Sequence, residues 1–459
     1  MNPSQLRHKR FTILGAARSG LAAARLLRQK DGRVFVSECQ PAEQKRQARE
    51  QLRALNVRCE FGAHSEKVFD CDYLVLSPGI PTDCGPIREA RRRNIPVLGE
   101  LELASRFCPG PVVAITGTNG KSTTTALVGE MFRQAGAPAI VCGNIGFPFS
   151  DAVLEMDAST TAVVEVSSFQ LETVTTFSPH VAILLNLEPD HLNRHGSFDA
   201  YVSTKLRLFE HQKDKDFAVY NEEDETTRRA MQSVCARSVR VPLHCEHPLE
   251  CGGYVSVGEI RFRFSSRLTR LLPVEEIALR GRHNLLNALA ASSAAMLAGL
   301  PVSAVRQALR RFRGLEHRLE LVCTLNGVHY VNDSKATNLD AMRQALNSFD
   351  SPIILLAGGQ DKGEDLSGVS DLISQKTRHC ILLGETAEMF SHLLPNGTQH
   401  TRADGLEQAV HLARQWARTG DVVLLSPGCA SFDMFQDFEE RGRQFKEMVK
   451  SLRIAERQV

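Results

Sequence analysis

Residues 111–123 combine an apolar run, a glycine-rich turn and the first residues of a polar segment. The apolar run, 112–115, has the β-branched composition of a buried strand. The segment after the turn, 124–134, is compatible with a helix. A strand, a glycine turn and a helix N-terminus in this order gather backbone N–H groups around an anion. The segment therefore predicts a phosphate-binding loop.

The residue types in the turn support the same prediction. Lys121 can reach the outer phosphates of a nucleoside triphosphate, and the Ser122 hydroxyl can hold a magnesium ion. The general pattern G-x-x-x-x-G-K-[ST] would place a glycine where this chain has Ile115, and a glycine turn before an ordinary helix is the alternative. The order Gly-Lys-Ser-Thr directly after a strand favours the triphosphate. The residues assigned to it are Gly117, Thr118, Asn119, Gly120, Lys121, Ser122 and Thr123.

The composition is that of an ordinary globular protein. The 459 residues suffice for about two to four domains, and the net charge of +2 gives no indication of nucleic-acid or anionic-membrane binding. The twelve cysteines form no C-x-x-C pair, which predicts free thiols and a reducing compartment. The uncharged run 284–305 is alanine-rich and interrupted by polar residues, so it predicts a buried helix. We therefore expect a cytoplasmic protein without a nucleic-acid or membrane partner.

The N-terminal segment 10–38 predicts a strand, a helix and a second strand. Its turn keeps the first and last glycines of a dinucleotide fingerprint, Gly15 and Gly20, but lacks the middle one. Glu38 stands where a ribose-binding acid would stand, so a nicotinamide dinucleotide site is one interpretation. A turn that uses glycine for its geometry alone is the other. Ser77 follows a further predicted strand, at a position where open α/β sheets bind ligands.

Short apolar segments alternate with helical patterns after the phosphate-binding loop, which predicts a mostly parallel sheet with helices on both faces. Glu165 ends one of these strands, and His191 follows the next. Because parallel strands share one carboxyl edge, both side chains should converge on the phosphates held by Lys121. Magnesium is the natural partner of a glutamate inside a strand. A surface loop is the alternative for His191.

Two further segments of the sequence contain candidate residues. Asn284 and Asn287 lie three residues apart in a predicted helix and therefore share one face. Either a nucleoside or hydrogen bonds to a loop would satisfy their amides. Lys205, taken alone, is a solvated residue of a charged helix. The stretch 216–277 is less regular, with strand-like pieces such as 254–257 and 260–264, and a third strand-and-helix pattern begins near residue 314.

Four motifs together resemble the Mur ligases, the ATP-dependent amino-acid ligases of peptidoglycan precursor synthesis. They are residues 116–123, 165–172, 332–338 and 426–433. The first is shared with folylpolyglutamate synthetase, whereas the other three resemble the members that add D-glutamate. The resemblance covers essentially the whole chain. It implies an α/β fold of three doubly wound domains, with Rossmann-like N- and C-terminal domains around a central P-loop ATPase-type domain. The expected domains are residues 1–99, which bind the UDP-substrate, residues 100–313, which bind ATP, and residues 314–459, which bind the amino acid.

The resemblance also implies roles for individual residues. ATP would be held by the loop residues, notably Lys121 and Ser122, together with Asn284, Asn287, Arg318 and Asp333. Two Mg²⁺ ions would be held by Ser122, Glu165, His191 and Lys205, the lysine as a carbamate, and the catalytic residues would be Lys121, Glu165, His191 and Lys205. The substrate UDP-N-acetylmuramoyl-L-alanine would contact Arg18, Ser19, Glu38, Ser77 and Asn144. D-Glutamate would contact Thr337, Lys362, Ser431 and Phe438.

The implied reaction passes through an acyl phosphate, with closure of the third domain over the second, in a monomeric enzyme. Where the family example has an Asp-Thr-Arg triplet after the second strand, this chain has Ser37, Glu38 and Cys39. The alternatives are a sister ligase that uses another amino acid, a folylpolyglutamate synthetase-like ligase, a dinucleotide-dependent oxidoreductase and a P-loop ATPase without ligase activity.

Overall fold

The computed structural model describes residues 6–234, 237–279, 281–361 and 367–456. These residues form three β-sheets, of five, nine and six strands, with helices between the strands. The chain divides into two compact units, Met1–Arg313 and Gly314–Val459. The first unit contains the five- and nine-stranded sheets, and the second contains the six-stranded sheet. The predicted α/β fold class is confirmed, while the limits 1–99, 100–313 and 314–459 stay a prediction.

The first sheet is wholly parallel, with strand order β3-β2-β1-β4-β5. Its elements are β1 (Arg10–Leu14), α1 (Arg18–Gln29), β2 (Arg33–Glu38), α2 (Arg46–Ala54), β3 (Arg58–Phe61), β4 (Tyr73–Leu76), α3 (Gly85–Arg92), β5 (Val97–Gly99) and α4 (Glu100–Ser105). The order reverses at β1, and the turns after β1 and β4 therefore lie side by side. Such a switch point is where open α/β sheets bind ligands.

The second sheet has the order β14-β13-β12-β11-β10-β9-β6-β8-β7. Its elements are β6 (Val112–Thr116), α5 (Lys121–Ala135), β7 (Ala139–Gly143), α6 (Phe149–Ala152), β8 (Thr161–Glu165), α7 (Ser168–Leu171), β9 (Val181–Leu184), α8 (Leu192–His195), α9 (Phe198–Leu206), β10 (Phe217–Asn221), α10 (Glu225–Ser233), β11 (Val239–His244), β12 (Gly252–Ser256), β13 (Glu259–Phe264), β14 (Arg267–Pro273), α11 (Arg282–Leu297) and α12 (Val302–Arg311). Strands β6, β8 and β9 are buried along their whole length, because helices cover both faces of the sheet. Burial on both faces explains why these strands are apolar except for Thr116, Thr161 and Glu165 at their ends.

The stretch 216–277 is more regular than the sequence indicates. It adds two parallel strands, β10 and β11, and then the antiparallel strands β13 and β14. The predicted strand-like pieces 254–257 and 260–264 correspond to β12 and β13, whereas β10, β11 and β14 were not predicted. Strand β14 carries arginines and is mostly exposed along its first half, so it lacks the apolar run by which buried strands are recognised.

The third sheet has the order β15-β16-β20-β17-β18-β19 and is parallel except between its first two strands. Its elements are β15 (Glu320–Leu325), β16 (Val328–Asn332), α13 (Leu339–Asn347), β17 (Ile353–Ala357), α14 (Ser367–Lys376), β18 (Thr377–Leu382), α15 (Ala387–Leu393), β19 (His400–Arg402), α16 (Leu406–Trp416), β20 (Val422–Leu425) and α17 (Phe438–Glu456). The loops after β16, β17 and β20 meet at one edge, which hydrogen bonds between residues 358 and 427 and between 333 and 425 hold together.

The uncharged run 284–305 forms most of α11 and the start of α12, and its alanines pack in the core of the second sheet. Over the described ranges, no helix has both the length and the apolar character needed to cross a bilayer. The cysteines within these ranges are free thiols.

Two buried glutamates stand two positions apart in α4, and they have opposite electrostatic environments. Glu102 is fully buried and accepts hydrogen bonds from the backbone N–H groups of Thr175 (2.9 Å) and Thr176 (3.0 Å) and from Arg106 Nε (2.9 Å). Burial alone would raise its pKa, but these donors outweigh burial and lower the pKa to about 2. Glu100 has one bonded oxygen, which accepts from the N–H of Ser150 (2.6 Å), and burial raises its pKa.

We expect Glu102→Gln to destabilise the protein by about 3 kcal/mol at pH 7, because a lowering of the pKa from 4.5 to about 2 corresponds to that free energy. The stabilisation by the ionised Glu102 carboxylate is complete above the pKa that this group has in the unfolded state, and it is lost as the pH falls toward 2. Urea denaturation between pH 7 and pH 3 measures it. The matched control is Glu100→Gln, which resembles the protonated acid and should leave stability unchanged or raise it. Equal losses in both variants would contradict the assignment.

Candidate active site

The phosphate-binding loop joins β6 to α5, as predicted. Gly120 precedes the helix with φ 83°, and a Cβ there would lie 2.3 Å from Asn287 Oδ1. Gly117 has φ 151°, and its Cβ would lie 3.0 Å from that of Leu185. Only glycine fits such close approaches in a left-handed conformation. The N-cap residue of α5 is Gly120, which has no side chain to cap the helix, and N–H groups at such a helix end can bind an anion.

We expect Gly120→Ala to raise the KM for ATP about tenfold, because the new methyl group must displace Asn287 from the loop. The backbone conformation alone costs about 1 kcal/mol of stability. Gly136→Ala is the matched control: Gly136 ends the same helix with φ 64°, and nothing lies within 4 Å of its added Cβ. Thermal denaturation and ATP titration of both variants separate the two effects. A similar KM for ATP in both would contradict the contact.

The loop is tied to the segment after β9. The N–H of Thr118 donates to Asn186 O (3.0 Å), and the N–H of Asn119 donates to Asn186 Oδ1 (2.7 Å). The Thr118 hydroxyl lies 2.9 Å from the hydroxyl of Tyr201, and the Asn119 amide donates to Glu188 Oε2 (2.9 Å). These bonds attach the loop to the segment after β9 and to Tyr201 of α9. Asn186 and Glu188 belong to the polar segment around His191 but had no individual role predicted, and Tyr201 was not predicted as a site residue.

Lys121 lies in the first turn of α5 and bends back over the loop. Its Nζ donates to the carbonyl oxygens of Gly117 (2.9 Å) and Thr118 (2.7 Å). Ser122 is buried at the same helix end. The ammonium group, the helix N-terminus and the hydroxyl thus lie together at the mouth of the loop, an arrangement that suits a phosphate chain.

Glu165 ends β8, next to β6, and its side chain is 2% exposed. Its Oε1 accepts a hydrogen bond from Asn144 Nδ2 (2.8 Å), which follows β7. Its Oε2 is buried and has no hydrogen-bond partner in the described chain. A buried carboxylate oxygen without a donor is energetically costly unless a cation or a ligand satisfies it. Glu165 therefore has the environment of a ligand-binding carboxylate.

His191 follows β9 and adopts a left-handed conformation, with φ 52°. Its ring packs against that of Phe169, with 4.8 Å between centroids, and its side chain is 39% exposed. The backbone N–H of His191 donates to Asp190 Oδ1 (2.9 Å). The imidazole therefore contacts one aromatic face and the Asp190 carboxylate, with 3.6 Å between Nε2 and Oδ2, and it remains accessible.

Lys205 is 1% exposed, so its interpretation as a solvated helix residue is wrong. Helix α9 directs it at the phosphate-binding loop, where Nζ donates to Gly117 O (2.8 Å) and lies 3.4 Å from Thr116 Oγ1. Burial lowers its pKa well below the usual value, the charge of Lys121 lowers it further, and the carboxylates act in the opposite direction. Burial of a lysine without a carboxylate in direct contact favours the neutral amine.

Asn284 and Asn287 share one face of α11, as predicted. The Asn287 amide donates to Asn284 Oδ1 (3.2 Å), and its oxygen accepts from Thr124 Oγ1 (3.3 Å). Asn287 thereby links α11 to the first turn of α5. These two hydrogen bonds satisfy the buried amide of Asn287 without a ligand. Asn284 is half-buried at the start of α11.

The candidate nucleotide residues of the first sheet lie at its switch point. Glu38 accepts from the N–H groups of Ala16 (2.8 Å) and Gln40 (3.0 Å), and these bonds outweigh burial and lower its pKa. The Glu38 carboxylate thus already has backbone hydrogen-bond partners, one of them in the glycine turn. Ser77 Oγ is buried without a partner among the described residues, beside Gly15. Arg18 is exposed and Ser19 half-buried in the first turn of α1.

In the second compact unit, Asp333 follows β16 and is buried. Its carboxylate accepts from Ser426 Oγ (2.8 Å) and from the N–H of Leu319 (3.1 Å). Burial raises its pKa to about 7, although these bonds and the charge of Arg318 lower it. Arg318 precedes β15 along the chain.

The candidate amino-acid residues belong to the same unit. Ser431 is buried after β20, Phe438 begins α17, and Thr337 follows β16. Lys362 lies outside the described residues. A fully buried arginine that sequence reasoning missed, Arg441, donates from Nε to Ser334 Oγ (3.0 Å) and from Nη2 to Ser334 O (2.9 Å) and Cys429 O (3.3 Å). It joins the loops after β16 and β20.

Two oxygen donors of the first unit suit a magnesium ion. Over the described residues, no three His, Cys, Asp or Glu side chains come close enough to hold a metal ion by themselves. Mg²⁺ characteristically uses one or two protein oxygens together with phosphate and water oxygens. The partnerless Oε2 of Glu165 and the Ser122 hydroxyl fit that requirement.

Comparison with known proteins assigns the family. The Mur ligase middle domain matches residues 115–295, the Mur ligase glutamate ligase domain matches 317–429, and the MurD N-terminal domain matches 10–85. A protein of Salinibacter ruber named UDP-N-acetylmuramoylalanine--D-glutamate ligase is 45% identical over 98% of this chain and 100% of its own length. A Chlorobaculum tepidum protein of the same name is 42% identical over the same shares. This chain belongs to the Mur ligase family.

Solved structures agree with the Mur ligase fold. The UDP-N-acetylmuramate-alanine ligase MurC of Thermotoga maritima aligns with a TM-score of 0.54 at 19% identity, over 97% of this chain and 100% of that one. E. coli FolC in complex with DHPP and ADP aligns with a TM-score of 0.53 at 17% identity, over 77% and 93%. At such identities the likeness extends to the fold alone.

Proposed function

We propose that this Mur ligase joins D-glutamate to UDP-N-acetylmuramoyl-L-alanine at the expense of ATP, yielding ADP and phosphate, in peptidoglycan precursor synthesis. The observation that carries the proposal is the end-to-end identity, 45% in the case cited from Salinibacter ruber, with relatives named UDP-N-acetylmuramoylalanine--D-glutamate ligase. The phosphate-binding loop and the buried Glu165 and Lys205 beside it support an ATP-dependent reaction.

ATP is assigned to the loop and to the first turn of α5, with its phosphates near Lys121 and Ser122. The further ATP residues are Asn284, Asn287, Arg318 and Asp333. Asn287 supports this group by holding the glycine turn in place. Magnesium is assigned to Ser122, Glu165, His191 and Lys205. A bound magnesium ion would neutralise charge on the phosphates during transfer.

The reaction has two steps. An oxygen of the terminal alanine carboxylate attacks the γ-phosphorus of ATP, the bond to the bridging oxygen breaks, and ADP leaves. The amine of D-glutamate then attacks the acyl carbon, loses a proton, and expels phosphate as the amide forms. Lys121 offsets the charge on the transferring phosphoryl group, and His191 stabilises the oxyanion of the tetrahedral intermediate.

Lys205 is assigned as a carbamate. Its neutral amine nitrogen attacks the carbon of CO₂. The N–C bond forms as one C=O π bond opens to give an anionic oxygen, and the nitrogen then releases one proton to water. The lowered pKa of this buried lysine supports the step, because only the neutral amine is nucleophilic. The product carries hard anionic oxygens where an ammonium group would repel a divalent cation.

The substrates are assigned to separate parts of the chain. Ser77, Arg18, Ser19 and Asn144 contact UDP-N-acetylmuramoyl-L-alanine, and the partnerless hydroxyl of Ser77 supports this. Glu38 acts by shaping the turn. Thr337, Lys362, Ser431 and Phe438 hold D-glutamate. We propose the domain limits 1–99, 100–313 and 314–459, with Asn144 as a UDP-substrate residue from the second domain and Arg318 and Asp333 as ATP residues from the third. We also propose a cytoplasmic monomer.

The test is phosphate release from ATP with UDP-N-acetylmuramoyl-L-alanine and one candidate amino acid in each reaction. Release with D-glutamate, and not with L-alanine, diaminopimelate or L-glutamate, is the expected result. Release with a different amino acid would overturn the specificity and keep the ligase class. Release without any acceptor would indicate an ATPase. A change in absorbance at 340 nm with a nicotinamide cofactor, without phosphate release, would indicate an oxidoreductase.

A further inference from the structure

We propose that Arg194 is a positioning residue. It holds the turn after β4 at a fixed position relative to the segment that contains His191. The inference rests on the proposed function, since it concerns a substrate that must reach both places at once. The turn after β4 carries Ser77, assigned to the nucleotide end of that substrate. His191 is assigned to its reacting end.

On one side, Arg194 holds the backbone of the first sheet's ligand turn. Its Nη2 donates to Ile80 O (3.0 Å) and lies 3.5 Å from Pro78 O. The N–H of Ile80 donates to Ser77 O (3.0 Å), so the guanidinium binds the closing residue of the turn that Ser77 opens. The Ile80 side chain in turn packs against Gly15, where an added Cβ would lie 3.0 Å from its Cδ1. One cation therefore steadies both turns at the switch point.

On the other side, Arg194 is fixed to α7, the short helix that follows β8 of the second sheet. Its Nε and Nη2 donate to the two carboxylate oxygens of Glu172, at 3.0 and 2.7 Å. Both side chains are largely buried, with 15% and 11% exposed. The guanidinium also lies over the ring of Phe169, 4.7 Å from its centroid, and the same ring supports His191. A displacement of Arg194 would therefore also shift the Phe169 ring against which His191 packs.

The chemistry requires arginine. A planar guanidinium can serve a carboxylate through two parallel bonds, donate to a carbonyl and cover an aromatic ring simultaneously. Lysine keeps the charge but has a single compact ammonium group, which cannot make this set of contacts. Arg194→Lys thus removes the geometry without removing the charge.

The experiment compares Arg194→Lys with Arg25→Lys. Arg25 makes an equally bidentate pair with Asp151, at 2.8 and 2.7 Å, and likewise joins the first sheet's helices to the second's, but it does not contact the turn after β4. We expect Arg194→Lys to raise the KM for UDP-N-acetylmuramoyl-L-alanine at least tenfold, with the KM for ATP changed less than twofold. Arg25→Lys should change neither KM more than twofold.

A second readout does not depend on turnover. Amide hydrogen exchange at Ile80 should be at least tenfold faster in Arg194→Lys and unchanged in Arg25→Lys, while the Tm of the two variants stays similar. Unchanged exchange and an unchanged KM for the nucleotide substrate would overturn the inference, as would an equal rise of both KM values. If the wild type gives no phosphate release but the exchange difference is present, the proposed function fails and the link between the sheets stands.

Discussion

The Lys205→Ala variant should lose about 100-fold in kcat, and formate or acetate should restore part of that loss. Groups that orient or hold a metal commonly contribute 10- to 100-fold, about the size expected here. The rescue follows from the site: removing the side chain leaves a buried space beside the Gly117 carbonyl, and a small carboxylate supplies the oxygens that a carbamate would have carried. Phosphate release at saturating substrates, with and without added carboxylate, measures both effects.

Lys205→Arg is the control for this experiment. It keeps a long cationic side chain but cannot become a carbamate, so we expect a similar loss without rescue. Depletion of bicarbonate should lower the activity of the wild type and leave both variants unaffected. Full activity of Lys205→Ala would show that the carbamate assignment is wrong.

Lys121→Met should lower kcat about 10³-fold with little change in stability. Preorganised charges that face the transferring group contribute on this scale, and methionine preserves the length of the side chain but not its charge. In the structure, the ammonium group donates to Gly117 O and Thr118 O, which places it at the phosphate-binding loop. Single-turnover phosphate release and thermal denaturation provide the two measurements.

The control is Arg133→Met, on the same helix. Arg133 lies in the last turn of α5, is 70% exposed and pairs with Glu130 at 2.5 Å. It should retain wild-type kcat. A Lys121→Met protein that kept its kcat while its KM for ATP rose would indicate that Lys121 contributes to binding equally in the ground and transition states.

The local parts of the site were predictable from sequence because they depend on neighbouring residues. The strand, turn and helix around Gly120 follow from residues adjacent in the chain. The shared face of Asn284 and Asn287 follows from helix geometry, and the approach of Glu165 to the loop follows from the common edge of parallel strands. Their ligand roles stay predictions.

Long-range contacts were not predictable. The hydrogen bond from Lys205 to Gly117 spans 88 residues, and the bond from Arg194 to Ile80 spans 114. Neither residue is unusual in its local sequence, because a charged helix and a polar loop normally face water. The same holds for Arg441, which bonds Ser334 across 107 residues.

The sequence by itself determined the α/β class, the glycine turn between β6 and α5 and the edge of each sheet at which polar residues gather. These depend on hydrophobic period and on backbone conformations that only glycine adopts. The tertiary structure alone decided which charged side chains are buried and what they contact: the desolvated amine of Lys205, the partnerless oxygen of Glu165 and the arginine that joins two sheets. Burial and charge pairing arise when distant segments pack together, and no local pattern encodes them.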